Sequence, residues 1–409
     1  MRILHISTRL ILGGSQENTV LSCERQSRLG RDVHLAFGPI YGPEGSLLDR
    51  VRRFRTPGDR QIQTHEVLDL VRQIAPLRDA RARRQLGALI ADLNPDIVHT
   101  HSSKAGILGR AAAWAARDTR GRRPGVIHTI HGPPFMPLEG GPARRARIRA
   151  NNAVYTGAER FAAQRCHLIV AVADAMTRQY LARGIGRGDQ YVTVRSGMET
   201  EPFLNPAPGA TRDEARAQLG FAETDFVIGT VARLAEHKGH DDILDALAQE
   251  LRARPDWKLL WVGDGWWRQR LLRRAGQLAL AGQVITTGLV PPADVPKMIR
   301  AMDLLVHPSY REGLPRTVPQ ALLASVPVVA YDVDGTREAC IDGQTGLLVP
   351  PGNIGRLRES ILRMAADPAA RREMALRGRD VCRDMFSAER MVHELERVYE
   401  RAMEMAGRS

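Results

Sequence analysis

The sequence predicts an α/β fold of two doubly wound parallel-sheet domains facing across a cleft, and three observations predict it. Short β-branched runs alternate with helix-length amphipathic stretches, the pattern of parallel strands joined by crossover helices. The alternation stops once, at EPFLNPAPGATRDEA (201–215), and then restarts. The length, 409 residues, exceeds what one ordinary core encloses and suits two domains of nearly equal size.

Taken in order, strands are expected at RILHIS, VHLAF, DIVHTH, GVIHTIH, HLIVAVA and YVTV, with helices near 15–29, 80–93, 103–117, 143–165 and 174–183. Gly30 follows the first helix, where a C-terminal glycine belongs. The prolines and polar residues of 201–215 read as a linker, with a helix starting near Asp213. Beyond it, strands FVIGTVA, KLLWVG, QVITTG, LLVHPS and PVVAYD alternate with helices at about 238–252, 266–280, 294–302 and 317–324. A strand-free helical region runs from about Ile354 to Met405. The expected domains are 1–200 and 201–386, followed by a terminal helix of about 387–409.

Composition narrows the function classes. Hydrophobic content of 43% and charged content of 26% are those of a globular chain. The net charge of +13 is concentrated in residues 1–200, which hold 31 basic and 17 acidic residues, against 28 and 29 in the remainder. Such a half attracts nucleic acid, anionic lipid or acidic substrates, and arginine bias alone also produces it. No nucleic-acid module is present and aromatic residues are only 5%, so no nucleic-acid partner is expected. Basic stretches at 50–60, 78–84 and 144–149 fit an anionic membrane surface. The N-terminus leads straight into a strand, and no run reaches the roughly eighteen apolar residues of a spanning helix. A cytoplasmic protein, peripheral on the inner membrane face or soluble, is expected. Cys23, Cys166, Cys340 and Cys382 form no CxxC pair and read as reduced core thiols.

Parallel sheets bind ligands at the carboxyl ends of their strands. GTVARLAEHKG places Arg233 at a strand end and Lys238 just before a helix, two cations suited to a diphosphate. WVGDG puts Gly263 and Gly265 at another strand end, compatible with close ligand approach or a plain tight turn. It is not a complete GxGxxG, so NAD is not expected. HPSYREGLPRTVPQ carries Glu312 at the mouth of a helix that holds Gln320. There it suits sugar hydroxyls or simply complements the helix dipole.

In ILGGSQEN, Gly13 and Gly14 join a strand to a helix, for ligand approach or chain reversal. His99 and His101 share a sheet face and, with His128, read as satisfied core or cleft residues, whereas His131 is placed in the cleft. No thiol or carboxylate of suitable spacing completes a metal site there. Asp332 and Asp334 in YDVDG read as turn residues, because two protein cations already serve the diphosphate.

Together GGSQEN, HTHSSKAG, HTIHG, VAVADA, RSGME, GTVARLAEHKG, WVGDG, HPSYREGLP, VPVVAYDVDGTRE and DGQTGLLVPPGN resemble, in order and over nearly the whole chain, a retaining glycosyltransferase of family 4 with the GT-B fold of two Rossmann-like domains. The resemblance implies a hexosyltransferase that uses a nucleotide-sugar donor, UDP- or GDP-linked, and a glycan or lipid-linked acceptor, as in cell-surface polysaccharide or glycolipid synthesis. No metal or other cofactor is implied. Arg233 and Lys238 would bind the donor diphosphate, Glu312 the sugar hydroxyls, and the Gly313 and Leu314 amides the sugar or phosphate. Gly13 and Gly14 would approach the diphosphate from the other lobe, and His131 would stand beside the transferred sugar. Gly263, Gly265 and Glu338 complete the expected donor-binding set. The last helix would cross back onto the first domain. One position departs: the resemblance calls for glutamate eight residues after Glu312, on the nucleotide ribose, and here stands Gln320. Losing that charge weakens donor binding by about 1–2 kcal/mol. A nucleotide-sugar epimerase of the same architecture, or a non-catalytic binding protein, are the alternatives to a transferase.

Overall fold

The computed structural model describes residues 1–41, 45–136 and 141–408. The chain divides into two compact units, Met1–Met198 with Ala388–Ser409, and Glu199–Ser387; Ser409 lies outside the described residues.

The first unit is built on a parallel sheet of seven strands: β1 (Arg2–Ser7), β2 (Asp32–Phe37), β3 (Gln63–Glu66), β4 (Ile97–His101), β5 (Gly125–Ile130), β6 (Leu168–Ala171) and β7 (Tyr191–Thr193). Their spatial order is β3-β2-β1-β4-β5-β6-β7. The chain winds outward from β1 to β3, then returns to lay β4 on the other side of β1. Residue alternation divides the sheet between two cores. Leu4, Ile6, Val98 and Val126 pack with Leu86 and Ile90 of the helix Pro76–Leu93 and with Ala105, Ala112 and Ala113 of the helix Ser103–Ala115. Ile3, Ile97, Ile127 and Leu168 face the other way, against Met391, Leu395 and Tyr399 of the helix Ala388–Met405. His5, His99 and His101 alternate in step with Ile3 and Ile97 and share that second face.

The second unit repeats the plan with β8 (Phe226–Val231), β9 (Trp257–Val262), β10 (Val284–Gly288), β11 (Leu304–His307), β12 (Val328–Tyr331) and β13 (Gly346–Val349). The order is β10-β9-β8-β11-β12-β13, again all parallel, with the reversal between β8 and β11. Leu259, Trp261, Leu304, Val306 and Val329 form its core with Leu244 and Leu247 of the helix His240–Ala253.

Among the elements that depart from the sequence expectation are β3, β13 and the stretch 201–215. β3 is a polar edge strand, QTHE, whose composition gives no strand signal. β13 is four residues taken from TGLLVPP, too short to stand out between glycines and prolines. The stretch 201–215 is not a bare linker. Pro202 sits in the first turn of a short helix, Glu201–Leu204, where its missing N–H costs nothing. Thr211 and Glu214 then cap the helix Arg212–Leu219 reciprocally. All four cysteines are buried and free. Among the described residues, no helix is long and apolar enough to cross a membrane.

Candidate active site

In each unit the strand order reverses once, and the loops leaving the two strands at that point diverge to open a crevice. In the second unit these are the loops after β8 and β11. The first carries Arg233, exposed, and Lys238. Lys238 closes a single 3-10 turn, Glu236–Lys238, and Gly239 follows at φ +68. A Cβ at Gly239 would lie 2.1 Å from the Pro308 carbonyl oxygen, so only glycine lets this loop press against the one after β11.

That approach brings Lys238 Nζ within 2.5 Å of Glu312 Oε1. His307, the last residue of β11, stands 3.0 Å from the same oxygen through Nε2. A carboxylate only accepts, so Nε2–H donates to Glu312, and Nδ1 lies 3.2 Å from the Thr317 hydroxyl. The Glu312 amide in turn donates to Asp334 Oδ2 at 2.7 Å, and the Gly335 amide to the Gly313 carbonyl at 3.0 Å. The loop after β12, leading to Glu338, is thereby tied to the loop of Glu312. Burial alone would raise the Glu312 pKa, but the Lys238 charge and the His307 hydrogen bond outweigh it and hold the carboxyl well below its ordinary range. Burial, reinforced by Lys238, pushes His237 down to about 4. His237 therefore adds no charge to this loop at neutral pH.

Glu312 does not lie at a helix mouth as the sequence suggested. The helix Thr317–Leu323 begins five residues later, and the compensating charge is the Lys238 ammonium. A depressed carboxyl pKa contributes stability that is complete above its unfolded value of about 4.3 and is lost as pH falls toward its folded value. The melting-temperature gap between wild type and Glu312→Gln should therefore be constant above about pH 5 and shrink below the ordinary carboxylate range. A pH-independent gap in scanning calorimetry would refute the ion pair.

The other expected residues fall into groups. Gly263 has φ +136, and a Cβ there would meet the Ala232 carbonyl at 2.2 Å; one at Gly265 would meet the Leu234 carbonyl at 2.4 Å. Close packing of the β8 and β9 loops accounts for both glycines. Gly313 and Leu314 are buried beside Glu312, and Gln320 is buried on the following helix. Asp332 pairs with Arg337. Since Asp334 holds the Glu312 amide, the two aspartates face different groups of their own chain.

Gly13, Gly14 and His131 belong to the first unit. Gly13 is the extended residue before the helix Gly14–Arg28, and a Cβ there would touch only the flexible end of Gln16. Chain reversal therefore does not demand glycine at that position. Thr8 and Ser102, after β1 and β4, bridge that unit's reversal through their hydroxyls at 2.7 Å. His131, half-buried, follows β5. His99, His101 and His128 are buried. His5, His99 and His101 bring one ring nitrogen each within 4.8 Å of one another, a spacing that suits a metal. Every ring nitrogen of the three nonetheless has a hydrogen-bond partner within the chain. Sequence reasoning missed His307 and Thr317; the available signal was a histidine at the very end of a strand, five residues before Glu312.

Two doubly wound sheets, each with its loops at a strand-order reversal, are the GT-B architecture. The chain matches the family described as Glycosyltransferase Family 4 over residues 12–201 and that described as Glycosyl transferases group 1 over residues 211–381. It belongs to this glycosyltransferase family. The putative glycosyltransferase EpsD of Bacillus subtilis is 28% identical over 324 residues, 79% of this chain and 81% of its own. The UDP-Gal:alpha-D-GlcNAc-diphosphoundecaprenol alpha-1,3-galactosyltransferase of Escherichia coli is 25% identical over 371 residues, 90% of this chain and 88% of its own. Among solved structures, Anabaena HepE in complex with UDP and glucose superimposes with a TM-score of 0.79 at 20% identity, covering 98% of this chain and 99% of that one.

Proposed function

We propose that this glycosyltransferase moves a sugar from a UDP- or GDP-linked donor to a hydroxyl of a glycan or lipid-linked acceptor, with retention of anomeric configuration. The Lys238–Glu312 pair at the β8/β11 reversal carries the reading. An ammonium has three N–H donors and Glu312 engages one, so the remaining donors serve a diphosphate while the carboxylate accepts from sugar hydroxyls. Arg233 adds a second cation on the same loop, and together they neutralise the charge that develops on the leaving diphosphate. With two protein cations at the phosphates, the reading requires no divalent ion, and turnover should survive a chelator. The Gly13–Gly14 turn is assigned to the donor diphosphate and His131 to the transferred sugar, and transfer proceeds by same-face displacement.

A lipid-linked acceptor at an anionic, cytoplasmic membrane face is supported by the helix Pro142–Ala163, which exposes Arg144, Arg145, Arg147 and Arg149. The galactosyltransferase of Escherichia coli, whose name specifies a diphosphoundecaprenol-linked acceptor, is in keeping with it.

The test begins with a thermal-shift screen of UDP- and GDP-sugars. A donor at 100 times its Kd should stabilise the protein by about 2.7 kcal/mol. The donor so found should release nucleoside diphosphate only when acceptor is added, and NMR of the product should show the donor's anomeric configuration. Failure of every nucleotide-sugar to shift the melting temperature would overturn the proposal.

A further inference from the structure

The buried histidines of the first unit form a directional chain. Gln26, on the helix Gly14–Arg28, faces His5 Nε2 through Oε1 at 2.8 Å. His5 Nδ1 meets His101 Nε2 at 2.9 Å, and His101 Nδ1 meets His131 Nε2 at 3.1 Å. The rings are stacked at 16° and 29°. Beyond Gln26, its amide nitrogen donates to the Tyr399 hydroxyl at 2.9 Å, Tyr399 meets His99 Nδ1 at 2.7 Å, and His99 Nε2 meets Thr129 Oγ1 at 2.6 Å.

A neutral imidazole donates from one nitrogen and accepts at the other, so fixing one ring fixes the next. The Gln26 carbonyl only accepts, so His5 carries its proton on Nε2 and accepts at Nδ1. His101 must then donate from Nε2, and His131 must donate to it from Nε2. Reversing the amide would force the Nδ1–H form on His5, His99, His101 and His131 alike, against the tautomer a neutral histidine prefers in water. Burial lowers the His5 pKa to about 4 and those of His99 and His101 further below their ordinary value, which keeps all three neutral.

We infer that Gln26, His5 and His101 are positioning residues that hold His131 in its Nε2–H tautomer, so that Nδ1 is a hydrogen-bond acceptor at the carboxyl end of β5. That His131 serves glycosyl transfer rests on the reading above; the tautomer does not. A structural cluster would need packing only, whereas this chain needs an acceptor at its buried end.

Long-range proton–nitrogen NMR on the full chain labelled with 15N-histidine tests it, with His131 assigned from the His131→Gln spectrum. Wild type should show a protonated Nε2 and unprotonated Nδ1 at His131. Gln26→Met keeps the volume but removes the acceptor. It should yield mixed tautomers at His131 and a fall of about tenfold in kcat with donor KM little changed, while Gln26→Glu, which restores an acceptor, should recover both. An Nδ1–H or mixed tautomer in wild type overturns the inference without any variant having to fold, as does an unchanged tautomer in Gln26→Met. Full turnover in His131→Ala with the wild-type tautomer intact overturns only the part His131 plays in transfer, and donor-binding failure in the thermal-shift screen identifies a fault in the underlying reading instead.

Discussion

Lys238→Ala is expected to lower kcat/KM for sugar transfer by about 10²–10³, the loss of about 3–4 kcal/mol that removing one preorganised charge or donor from a transition state produces. The substitution has two separable effects. It removes a cation from the developing diphosphate charge, and it leaves Glu312, whose side chain is only 14% exposed, with His307 as its remaining partner. The second effect costs stability, because a buried carboxylate without its cation either stays charged at a penalty or takes up a proton. Pairing the change with Glu312→Gln separates the two. In the double variant no charge is stranded, so unfolding should show strong coupling between the sites, with the double less destabilised than the sum of the singles. Activity should not return, since neither the cation nor the sugar-facing carboxylate is there. Recovery of turnover in the double variant would mean that Lys238 serves only to hold Glu312. Normal turnover in Lys238→Ala alone would remove the diphosphate assignment altogether.

The parts of this site that the sequence discloses are those written in short-range pattern. Arg233 and Lys238 follow a buried β-branched strand, and Glu312 follows another, so each is legible as a strand-end residue from its own segment. Their contact is not legible, because 74 residues separate them and only the β8–β11 adjacency of the strand order joins them. The same holds more strongly for Gln26 and Tyr399, 373 residues apart and brought together by the terminal helix packing beneath β1 and β4. The strands that escape sequence reading do so for local reasons. β3 lies at a sheet edge, where burial imposes no hydrophobic run, and β13 is a tetrapeptide whose pairing with β12 supplies the order its composition does not. Gly263 and Gly265 illustrate a further limit. A strand-end glycine reads as room for a ligand, whereas here the room is filled by the neighbouring loop's carbonyls.

Glu159→Ala, at a residue assigned no part in the chemistry, is expected to destabilise the first unit by about 3–5 kcal/mol. Arg110 and Glu159 join the helices Ser103–Ala115 and Pro142–Ala163 through a 2.6 Å contact between side chains that are 0% and 1% exposed. Arg110 Nε is also spent, donating to the Gly106 carbonyl at 2.8 Å. Burial works against the guanidinium charge, but the Glu159 carboxylate prevails and raises the Arg110 pKa. An arginine cannot escape by deprotonating, so truncating Glu159 strands a buried cation. Among the described residues, Arg110 Nη1 and Glu159 Oε1 have no hydrogen-bond partner, so the pair is itself incompletely satisfied. That makes the opposite outcome predictable for the joint replacement: Arg110→Met with Glu159→Leu should be neutral or stabilising, because it removes both desolvated charges and fills their volume. Since a two-unit chain need not unfold in one step, hydrogen exchange read peptide by peptide over the two helices is the suitable measurement. A large loss of protection in Glu159→Ala with recovery in the double variant supports a buried pair that is costly to break but not needed for stability. A cost below about 1 kcal/mol for Glu159→Ala would instead mean that water reaches the guanidinium, and that the interior between these helices is open in solution.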